Sequence, residues 1–345
     1  MDIFTSISLN YLPKACVLAE SLKKFHPDWT FHLLISDRLP LEGAEIVHAQ
    51  LSQAWFDKVI WIDQLDIPNL HSWIFKHSVV ELCTAVKGPY LQQLVKDGAQ
   101  KIIYIDPDIA VFNELSPLES MLEQHAILLT PHLLDYADDP QAIVENEIAG
   151  TMRHGIYNLG FFAVNPTRED GQRFADWWGD RILNYCYADY ERGLFTDQKW
   201  CDMVPAFFED HHIVRDPGYN VASWNINKRQ LSISESGQIM VNGRYPLRFY
   251  HFTGYDSGAG NFMTHRYCAQ VELVEEIWNW YGRTLSRMAQ DELGSRPCQY
   301  NFYRDGSPIS KEDRLVYRQR VDLQTAYPDP FEINHAVIRN FIEKK

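Results

Sequence analysis

The chain has 345 residues, of which 46% are apolar and 23% are charged, and its formal net charge is −14. This composition is typical of a globular protein with enough core for one large α/β domain or two modest domains. The acidic balance and the lack of a long basic run argue against a general nucleic-acid binder, because clustered Lys and Arg hold phosphate backbones.

The sequence also bears on membrane association and compartment. No run of about 18 apolar residues occurs, which is the length that a membrane-spanning helix needs. The N-terminal residues MDIFTSIS have no basic start, and six cysteines are scattered without a CxxC spacing, as expected for reduced thiols. We therefore expect a cytoplasmic protein with no membrane span, while peripheral attachment at the inner face of a membrane stays open.

Apolar periodicity divides much of the chain into strands and helices. In chain order, the predicted elements are a strand at 2–7, a helix at 10–25, strands at 31–37 and 44–50, one or two helices within 70–96, strands at 101–112, 126–130 and 158–165, and helices at 167–190 and 270–290. The alternation of strands and helices predicts an α/β sheet. The tail has weak periodicity, so we expect a main domain at 1–265 and a helical or irregular appendage at 266–345.

Two local signals refine these elements. Gly88-Pro89 is expected to interrupt the helical region at 70–96, because proline disrupts a helix interior. Thr167 and Asp170 have the spacing of a capping box, which predicts the start of the helix at 167–190.

The most distinctive feature is Asp106-Pro107-Asp108, which directly follows the apolar run from Ile102 to Ile105. In open α/β sheets, ligands bind beyond the carboxyl ends of strands, so two carboxylates delivered there can face one cation. Hard oxygen ligands suit Mg²⁺ or Mn²⁺, and unpaired acids beside an apolar strand would be costly without a cation. A solvated acidic turn or a helix cap is the alternative explanation.

Four further segments stand out around this turn. They are Asn10-Tyr11 before an Ala-rich helix, Asn158 to Phe162 (NLGFF), Asp197-Gln198, and His251 to Gly254 (HFTG). With IYIDPDIAV at 103–111, this ordered set resembles retaining glycosyltransferases of the GT-A fold, especially family 8. Parts of the chain are also similar to bacterial cell-surface polysaccharide transferases. The resemblance covers about residues 2–260 and implies a Rossmann-like, mixed and mostly parallel sheet with flanking helices, with 1–265 as the catalytic domain.

The resemblance also implies roles for individual residues. Asp106, Asp108 and His251 would bind Mn²⁺ or Mg²⁺, and Asp197 and Gln198 would act on the donor sugar as catalytic residues. The residues implied in donor binding are Asn10, Tyr11, Lys87, Asp106, Asn158, Gly160 and Gly254.

Structural roles stay open for several of these residues. His251 could be a buried histidine bonded to backbone, Tyr11 could pack in the core, and Gly160 could allow a close backbone approach. For Asp197 the alternative is a charge that complements a helix dipole, with Thr196 as the helix cap.

The implied reaction is transfer of a hexose-type sugar from a nucleotide diphosphate sugar, a UDP-sugar first of all, to a glycan, lipid-linked or protein acceptor. Retention is implied, and a covalent intermediate and front-face attack both stay open. Ser8 and Leu9 stand where family 8 has an acid, which leaves the base open. Residues 255–261, directly after Gly254, contain no lysine, so the diphosphate contact is expected from backbone amides there or from Lys87.

Two other classes of protein share some of these features. A metal-dependent sugar-nucleotidyltransferase also uses carboxylates at strand ends, but it carries a Gly-rich basic loop, whereas residues 3–20 contain no glycine and only Lys14. A non-catalytic carbohydrate-binding module would keep the aromatic residues but would not need the acids at 106 and 108.

Overall fold

The computed structural model describes residues 1–53 and 55–343 and contains fifteen strands in that part of the chain. They are β1 (Asp2–Ile7), β2 (Thr30–Ile35), β3 (Lys58–Trp61), β4 (Ile102–Ile105), β5 (Ile109–Val111), β6 (Ile127–Pro131), β7 (Tyr157–Val164), β8 (Ala188–Asp189), β9 (Leu194–Phe195), β10 (His211–Ile213), β11 (Val221–Ala222), β12 (Leu231–Ile233), β13 (Ile239–Val241), β14 (Tyr245–Pro246) and β15 (Phe249–His251).

The α-helices of the same part of the chain range from single turns to 17 residues. They are α1 (Leu12–Phe25), α2 (Ala44–Leu51), α3 (Leu70–Phe75), α4 (Val79–Ala85), α5 (Lys87–Lys96), α6 (Ser116–Gln124), α7 (Pro140–Ala142), α8 (Glu169–Tyr185), α9 (Val204–Phe207), α10 (Ala259–Tyr267), α11 (Glu272–Arg287), α12 (Gln290–Leu293), α13 (Lys311–Gln319), α14 (Val321–Ala326) and α15 (His335–Glu343). A π-helix spans Ile143–Met152. Among the described helices, none combines the length and the apolar character needed to cross a membrane.

Seven strands form the central sheet in the order β10-β6-β7-β4-β1-β2-β3. β7 runs antiparallel to both of its neighbours, and every other pair in this sheet is parallel. This arrangement confirms the predicted α/β class with a mixed, mostly parallel sheet. Because β1 and β4 are parallel neighbours, the loops that follow them open at the same edge of the sheet.

Successive residues of the central strands pack on opposite faces of the sheet, as the two-residue period of a strand requires. The rings of Phe4, Tyr104 and Phe162 contact one another on the face that α5 and α8 cover. Ile3 and Ile103 point to the other face, where α1 and α6 pack. The central sheet is therefore buried on both sides.

A small three-stranded sheet carries the histidine of the HFTG segment to the acidic turn. β5 leaves the central sheet directly after Asp108, so the strand predicted at 101–112 is two strands with different partners. β5 pairs antiparallel with β15, with Ile109 opposite His251, and the backbone N–H of Phe252 donates to the carbonyl of Asp108 at 2.8 Å. His251 and Asp108 are therefore neighbours although they lie far apart in the chain.

The strand predicted at 44–50 is wrong, because these residues belong to the helix α2. A short apolar run does not distinguish a strand from a helix, and here only Val47 is buried within the helix. The third strand of the sheet is β3, which follows later in the chain.

Two boundary predictions also need correction. The region 70–96 holds three helices rather than one or two. The helical region is interrupted near Gly88-Pro89, because α4 ends at Ala85 and α5 begins at Lys87, but the pair itself lies in the first turn of α5, where a missing N–H costs no helical hydrogen bond. The capping box is absent at the start of α8, because the Thr167 N–H and hydroxyl donate to Asn165 and the Asp170 carboxylate accepts from the backbone N–H of Asp210.

The C-terminal residues contribute to the same apolar clusters as the rest of the chain. Tyr281 of α11 belongs to the cluster that contains Leu12 of α1, and Tyr317 of α13 belongs to the cluster that contains Phe4. The predicted boundary after residue 265 falls within α10. The division into a catalytic domain and an appendage stays a prediction.

Candidate functional site

A cleft with a volume of about 450 Å³ opens beside the carboxyl ends of β1 and β4. Most residues that the sequence singles out lie in its wall, namely Asn10, Tyr11, Lys87, Asp106, Asp108, Asn158, Asp197, Gln198 and His251. Gly160 lies against His251 in space, and Gly254 directly follows Thr253 in the chain. His251 and Thr253 both belong to the wall of the cleft. The fold therefore gathers residues from distant segments at one edge of the sheet.

Asp106, Asp108 and His251 form the acidic centre of this cleft. Each residue offers one ligand atom, and these atoms all lie within 4.8 Å of one another. Nε2 of His251 is 3.1 Å from Oδ1 of Asp108 and 3.8 Å from Oδ2 of Asp106. Two carboxylates and one imidazole at this spacing match the ligands that divalent cations such as Mn²⁺ accept.

Burial and neighbouring charges act differently on the two carboxylates. Burial raises the pKa of Asp106 above its ordinary value, although Lys87 and His251 oppose that rise. Burial also disfavours the charged form of Asp108, but the adjacent His251 outweighs it and holds the pKa of that carboxyl below its usual value. Asp108 is therefore the more strongly ionised partner of His251.

A chain of amide side chains orients the imidazole of His251. Its Nδ1–H donates to Oδ1 of Asn220 at 3.3 Å, which leaves Nε2 free to face the two carboxylates. Nδ2 of Asn220 donates to Oδ1 of Asn158 at 3.0 Å, and Nδ2 of Asn158 donates to Nε2 of His132 at 3.2 Å. Hydrogen bonds of this kind fix the tautomer and the ring direction of a ligating histidine.

Gly160 allows His251 to approach the β7 strand. A Cβ atom at this position would lie 2.5 Å from Cε1 of His251, which is too close for any side chain. The carbonyl of Gly160 also accepts the backbone N–H of Asp106 at 2.8 Å. The close-approach explanation of Gly160 thus has a geometric basis, and a direct contact with the donor stays a prediction.

Lys87 lies beneath the acidic centre, in contact with three polar groups. Its Nζ donates to Oδ2 of Asp197 at 2.8 Å, and it lies 3.5 Å from both Oδ1 of Asp106 and the carbonyl of Leu159. The hydroxyl of Tyr104 donates to the same Oδ1 of Asp106. Burial lowers the pKa of Lys87, but the two carboxylates outweigh burial and hold that pKa above its ordinary value.

Asp197 and Gln198 are both tied to neighbouring groups. The hydroxyl of Thr196 donates to Oδ1 of Asp197 at 3.2 Å, so both carboxylate oxygens of Asp197 have partners. Nε2 of Gln198 donates to the carbonyl of His154 at 3.0 Å. Thr196 has a φ of 45° and Asp197 occupies the N-cap position of the 3-10 helix Gln198–Met203, so the prediction of Thr196 as the cap is wrong.

At the other end of the cleft, Asn10 and Tyr11 lie beside a charged pair. Nζ of Lys14 lies 3.5 Å from the centre of the Tyr11 ring and is paired with the carboxylate of Asp256. This pair joins the start of α1 to the loop that follows HFTG. Gly254 in that loop has a φ of 71°, and a Cβ there would lie 2.7 Å from the backbone nitrogen of Gly260, so the turn itself requires glycine.

Sequence patterns did not identify four residues that shape the site. Asn220, Tyr104 and the Lys14–Asp256 pair act through contacts between distant segments. Only Asn220 leaves a signal in the sequence, because it is a lone amide between apolar residues in Tyr219-Asn220-Val221, where it is fully buried with a φ of 53°. Asparagine tolerates this left-handed conformation better than most residues do.

A second cavity, of about 320 Å³, adjoins the first and shares Asn158, Phe195, Gln198 and Thr253 with it. Trp224 lies in its wall, with its ring centre 5.2 Å from that of His251. The indole N–H of Trp224 donates to the carbonyl of His132 at 3.2 Å, which fixes the ring. The two cavities together leave room for two ligands that meet near Asn158 and Gln198.

Comparisons with curated proteins identify relatives in one bacterium. YfnD of Bacillus subtilis (strain 168), an uncharacterized protein, is 24% identical over 255 residues, which are 73% of this chain and 76% of YfnD. YfnF of the same organism, also uncharacterized, is 27% identical over 179 residues, which are 51% of this chain and 57% of YfnF.

Among solved structures, a complex of the galactosyltransferase LgtC with donor and acceptor sugar analogs is similar to this chain. The TM-score is 0.45 and the sequence identity is 15%, and the match covers 86% of this chain and 98% of that chain.

The sequence model of the family described as "Glycosyl transferase family 8" matches residues 2–241. That match covers well over half of the chain and agrees with the mixed sheet and the motif order. The chain therefore belongs to glycosyl transferase family 8 and is a glycosyltransferase with the GT-A fold.

Proposed function

We propose that this glycosyltransferase moves a hexose-type sugar from a nucleoside diphosphate donor, a UDP-sugar first of all, to a glycan, lipid-linked or protein acceptor. The proposal includes dependence on Mn²⁺ or Mg²⁺ and retention of anomeric configuration. The observation that supports it best is the convergence of Asp106, Asp108 and His251 at one point of the cleft.

The residues of this cluster fit a divalent cation. Asn220 accepts from Nδ1–H of His251, so Nε2, which faces the two carboxylates, is the ring nitrogen that would lose its proton and bind the cation. When bound by Asp106, Asp108 and His251, the cation would supply Lewis-acid stabilisation of the charge that develops on a departing diphosphate. Without a cation, two carboxylates would face a diphosphate and repel it.

The chain's own residues suit the remaining tasks of donor binding. We assign Asn10 and Tyr11 to the nucleoside, because they line the end of the cleft next to β1, and an aromatic ring there can contact a base. Lys87 is fully engaged with Asp106, Asp197 and Leu159, so we infer that it balances charge beneath the donor rather than binding the diphosphate alone.

The state of the acids favours retention by front-face attack. An inverting enzyme needs a free base opposite the leaving group. The acidic side chains in the described walls of the two adjoining cavities are Asp106, Asp108, Glu145 and Asp197. Asp106 and Asp108 form the cation cluster, Glu145 is paired with Arg266, and Asp197 is paired with Lys87. The same pairing leaves Asp197 poorly suited to a covalent intermediate. In front-face attack the leaving phosphate takes the proton of the acceptor hydroxyl, so no protein base is required.

The second cavity suits the acceptor. Trp224 offers a fixed ring on which the apolar face of a sugar can stack, and Gln198 and Asn158 border both cavities. An acceptor hydroxyl held there would reach the sugar end of the donor.

We also propose that the enzyme acts in the cytoplasm, including at the inner face of a membrane. All six cysteines are free thiols, and four of them are buried. Free thiols are typical of a reducing compartment.

A panel of nucleotide sugars, tested by thermal shift with and without Mn²⁺, examines the donor assignment. At equal concentrations, a ligand that binds the folded state more tightly raises the melting temperature further, so a UDP-hexose with Mn²⁺ should give the largest shift. Nuclear magnetic resonance of the product should show the anomer of the donor. No shift with any nucleotide sugar would contradict the donor assignment. A product of inverted configuration would contradict retention.

A further inference from the structure

A third cavity, of about 350 Å³, lies close to the proposed acceptor cavity. The two cavities share Leu133. Trp224 lines the acceptor cavity and its neighbour Asn225 lines the third one, and both donate to the carbonyl of His132, at 3.2 and 3.3 Å. A ligand in the acceptor cavity would therefore have a second pocket within short reach.

The third cavity, which we call the Arg229 cavity, contains a buried guanidinium. Arg229 is 3% exposed, and its Nη1 donates to the carbonyls of Pro217 and Tyr219 at 3.1 and 2.5 Å. Within the part of the chain that the structure describes, no carboxylate is in ion-pair contact with it. Burial lowers the pKa of Arg229 to about 9, and the more distant Asp216 and Asp135 compensate only in part. A buried charge without a counter-ion is costly, so this position calls for an anion.

Other groups in the same wall can donate to an anion. Arg215 and Lys228 also line the cavity, and the nearest carboxylate to Lys228 in the described residues is Asp138, at a long 3.7 Å. Both side chains are exposed, so they can turn toward a ligand. The cavity wall holds three cationic side chains and one acidic one, Asp135, which is unusual for a chain with a net charge of −14.

We propose that the Arg229 cavity binds a phosphate or carboxylate group. The planar guanidinium of Arg229, held in place by two carbonyls, suits the paired oxygens of such a group. If the proposed function holds, this group belongs to an acidic acceptor that extends past Trp224 from the acceptor cavity. The site itself does not depend on the identity of the donor.

The test is isothermal titration of the whole protein with inorganic phosphate and with glucuronate, at constant ionic strength. Glucose serves as the neutral comparison. At least one anion should bind, and glucose should bind far more weakly. The double variant Arg215→Gln/Lys228→Gln should weaken anion binding by about tenfold or more, because charge-assisted hydrogen bonds are lost. The control is Arg181→Gln, which removes a partly exposed arginine on α8 that pairs with Asp180, and it should bind as wild type does.

The double variant changes exposed residues only, so it tests the site without relying on Arg229→Gln, which removes ties to two backbone carbonyls. Tighter binding of glucuronate than of phosphate would assign the site to an acidic sugar, and the reverse order would assign it to a phosphoryl group. Equal anion affinity in wild type and the double variant, or no binding of either anion to wild type, would overturn the proposal. Donor hydrolysis by wild type, measured in parallel, separates a failure of this site from a failure of the proposed function.

Discussion

Lys87 and Asp197 form an ion pair that the protein buries almost completely, with Nζ 2.8 Å from Oδ2 and both side chains 3% exposed. Lys87 stands at the start of α5, and Asp197 directly precedes a 3-10 helix far along the chain. The pair therefore joins the layer beneath the acidic turn to the segment that resembles the family's sugar-contacting motif. Because the pair is buried, it contributes to stability, and because both residues line the cleft, it is also a candidate part of the site.

Replacing Lys87 with methionine should destabilise the protein strongly. The change leaves the carboxylate of Asp197 buried without its cation, and breaking a buried pair in this way costs about 3–5 kcal/mol. Chemical denaturation should show this loss in the free energy of unfolding. The double variant Lys87→Met/Asp197→Leu removes both charges and should recover much of it. A loss below about 1 kcal/mol in the single variant would show that the pair is not buried as described.

Gly160→Ala should slow donor turnover strongly while it reduces the free energy of unfolding only moderately. The new methyl group would lie 2.5 Å from Cε1 of His251, so the imidazole must move away from Asp108. Overpacking of this kind costs about 1–3 kcal/mol of stability, whereas displacement of a reacting group by about 1 Å can cost 100-fold in rate. Hydrolysis of the best donor, measured on a sample with native circular dichroism, tests this. Wild-type turnover in a folded Gly160→Ala protein would mean that the position of His251 does not matter.

Asn220→Gly should weaken Mn²⁺ binding by about 10–100-fold, because the partner that orients a ligating histidine is lost. Glycine accepts the φ of 53° found at this position, so the variant removes the amide without adding backbone strain. Asn220→Asp keeps an acceptor for Nδ1 of His251 and should retain more of the affinity. Titration calorimetry with Mn²⁺ compares the three proteins, and identical affinities would contradict a supporting role for Asn220.

The buried His77 should make the protein less stable in mild acid. Burial lowers its pKa to about 4, so the folded protein favours the neutral ring, while the unfolded chain binds a proton near pH 6.5. The stabilisation that depends on a neutral His77 is therefore complete above about pH 6.5 and is lost as the pH falls from there toward 4. The free energy of unfolding should fall by up to about 1.4 kcal/mol per pH unit in that range. Unfolding at pH 7.5, 6 and 5 should show a flatter dependence in His77→Gln than in wild type. The same pH dependence of unfolding in His77→Gln and in wild type would contradict a destabilising protonation of His77.

The sequence was informative where local chemistry decides the structure. The run Ile102 to Ile105 followed by Asp106-Pro107-Asp108 predicts a buried strand with acids at its end, and β4 confirms that strand. The order of the motifs predicts a family 8 glycosyltransferase, which the family match confirms. In contrast, residues 44–50 were assigned to the wrong element, because adjacent Ile46 and Val47 fit a strand as well as a helix.

The contacts of the site could not be predicted, because they join segments that are distant in the chain. Nothing near Lys87 in the sequence indicates that Asp197 is its partner, and nothing near His251 indicates Asn220. The pairing of β5 with β15 decides that His251 reaches Asp108. Such pairings depend on the packing of the whole chain rather than on local propensity.

The Mn²⁺ dependence of donor hydrolysis, measured for wild type, Asp106→Asn, Asp108→Asn and His251→Ala, tests the central claim most directly. We expect wild type to hydrolyse its best nucleotide sugar slowly with Mn²⁺, and to lose this activity with a chelator. Each variant should fold and should turn over donor about 100-fold more slowly at saturating Mn²⁺, because charge on the leaving diphosphate would go unbalanced. Full activity of wild type in the chelator, or normal turnover by the three variants, would contradict a cation site at Asp106, Asp108 and His251.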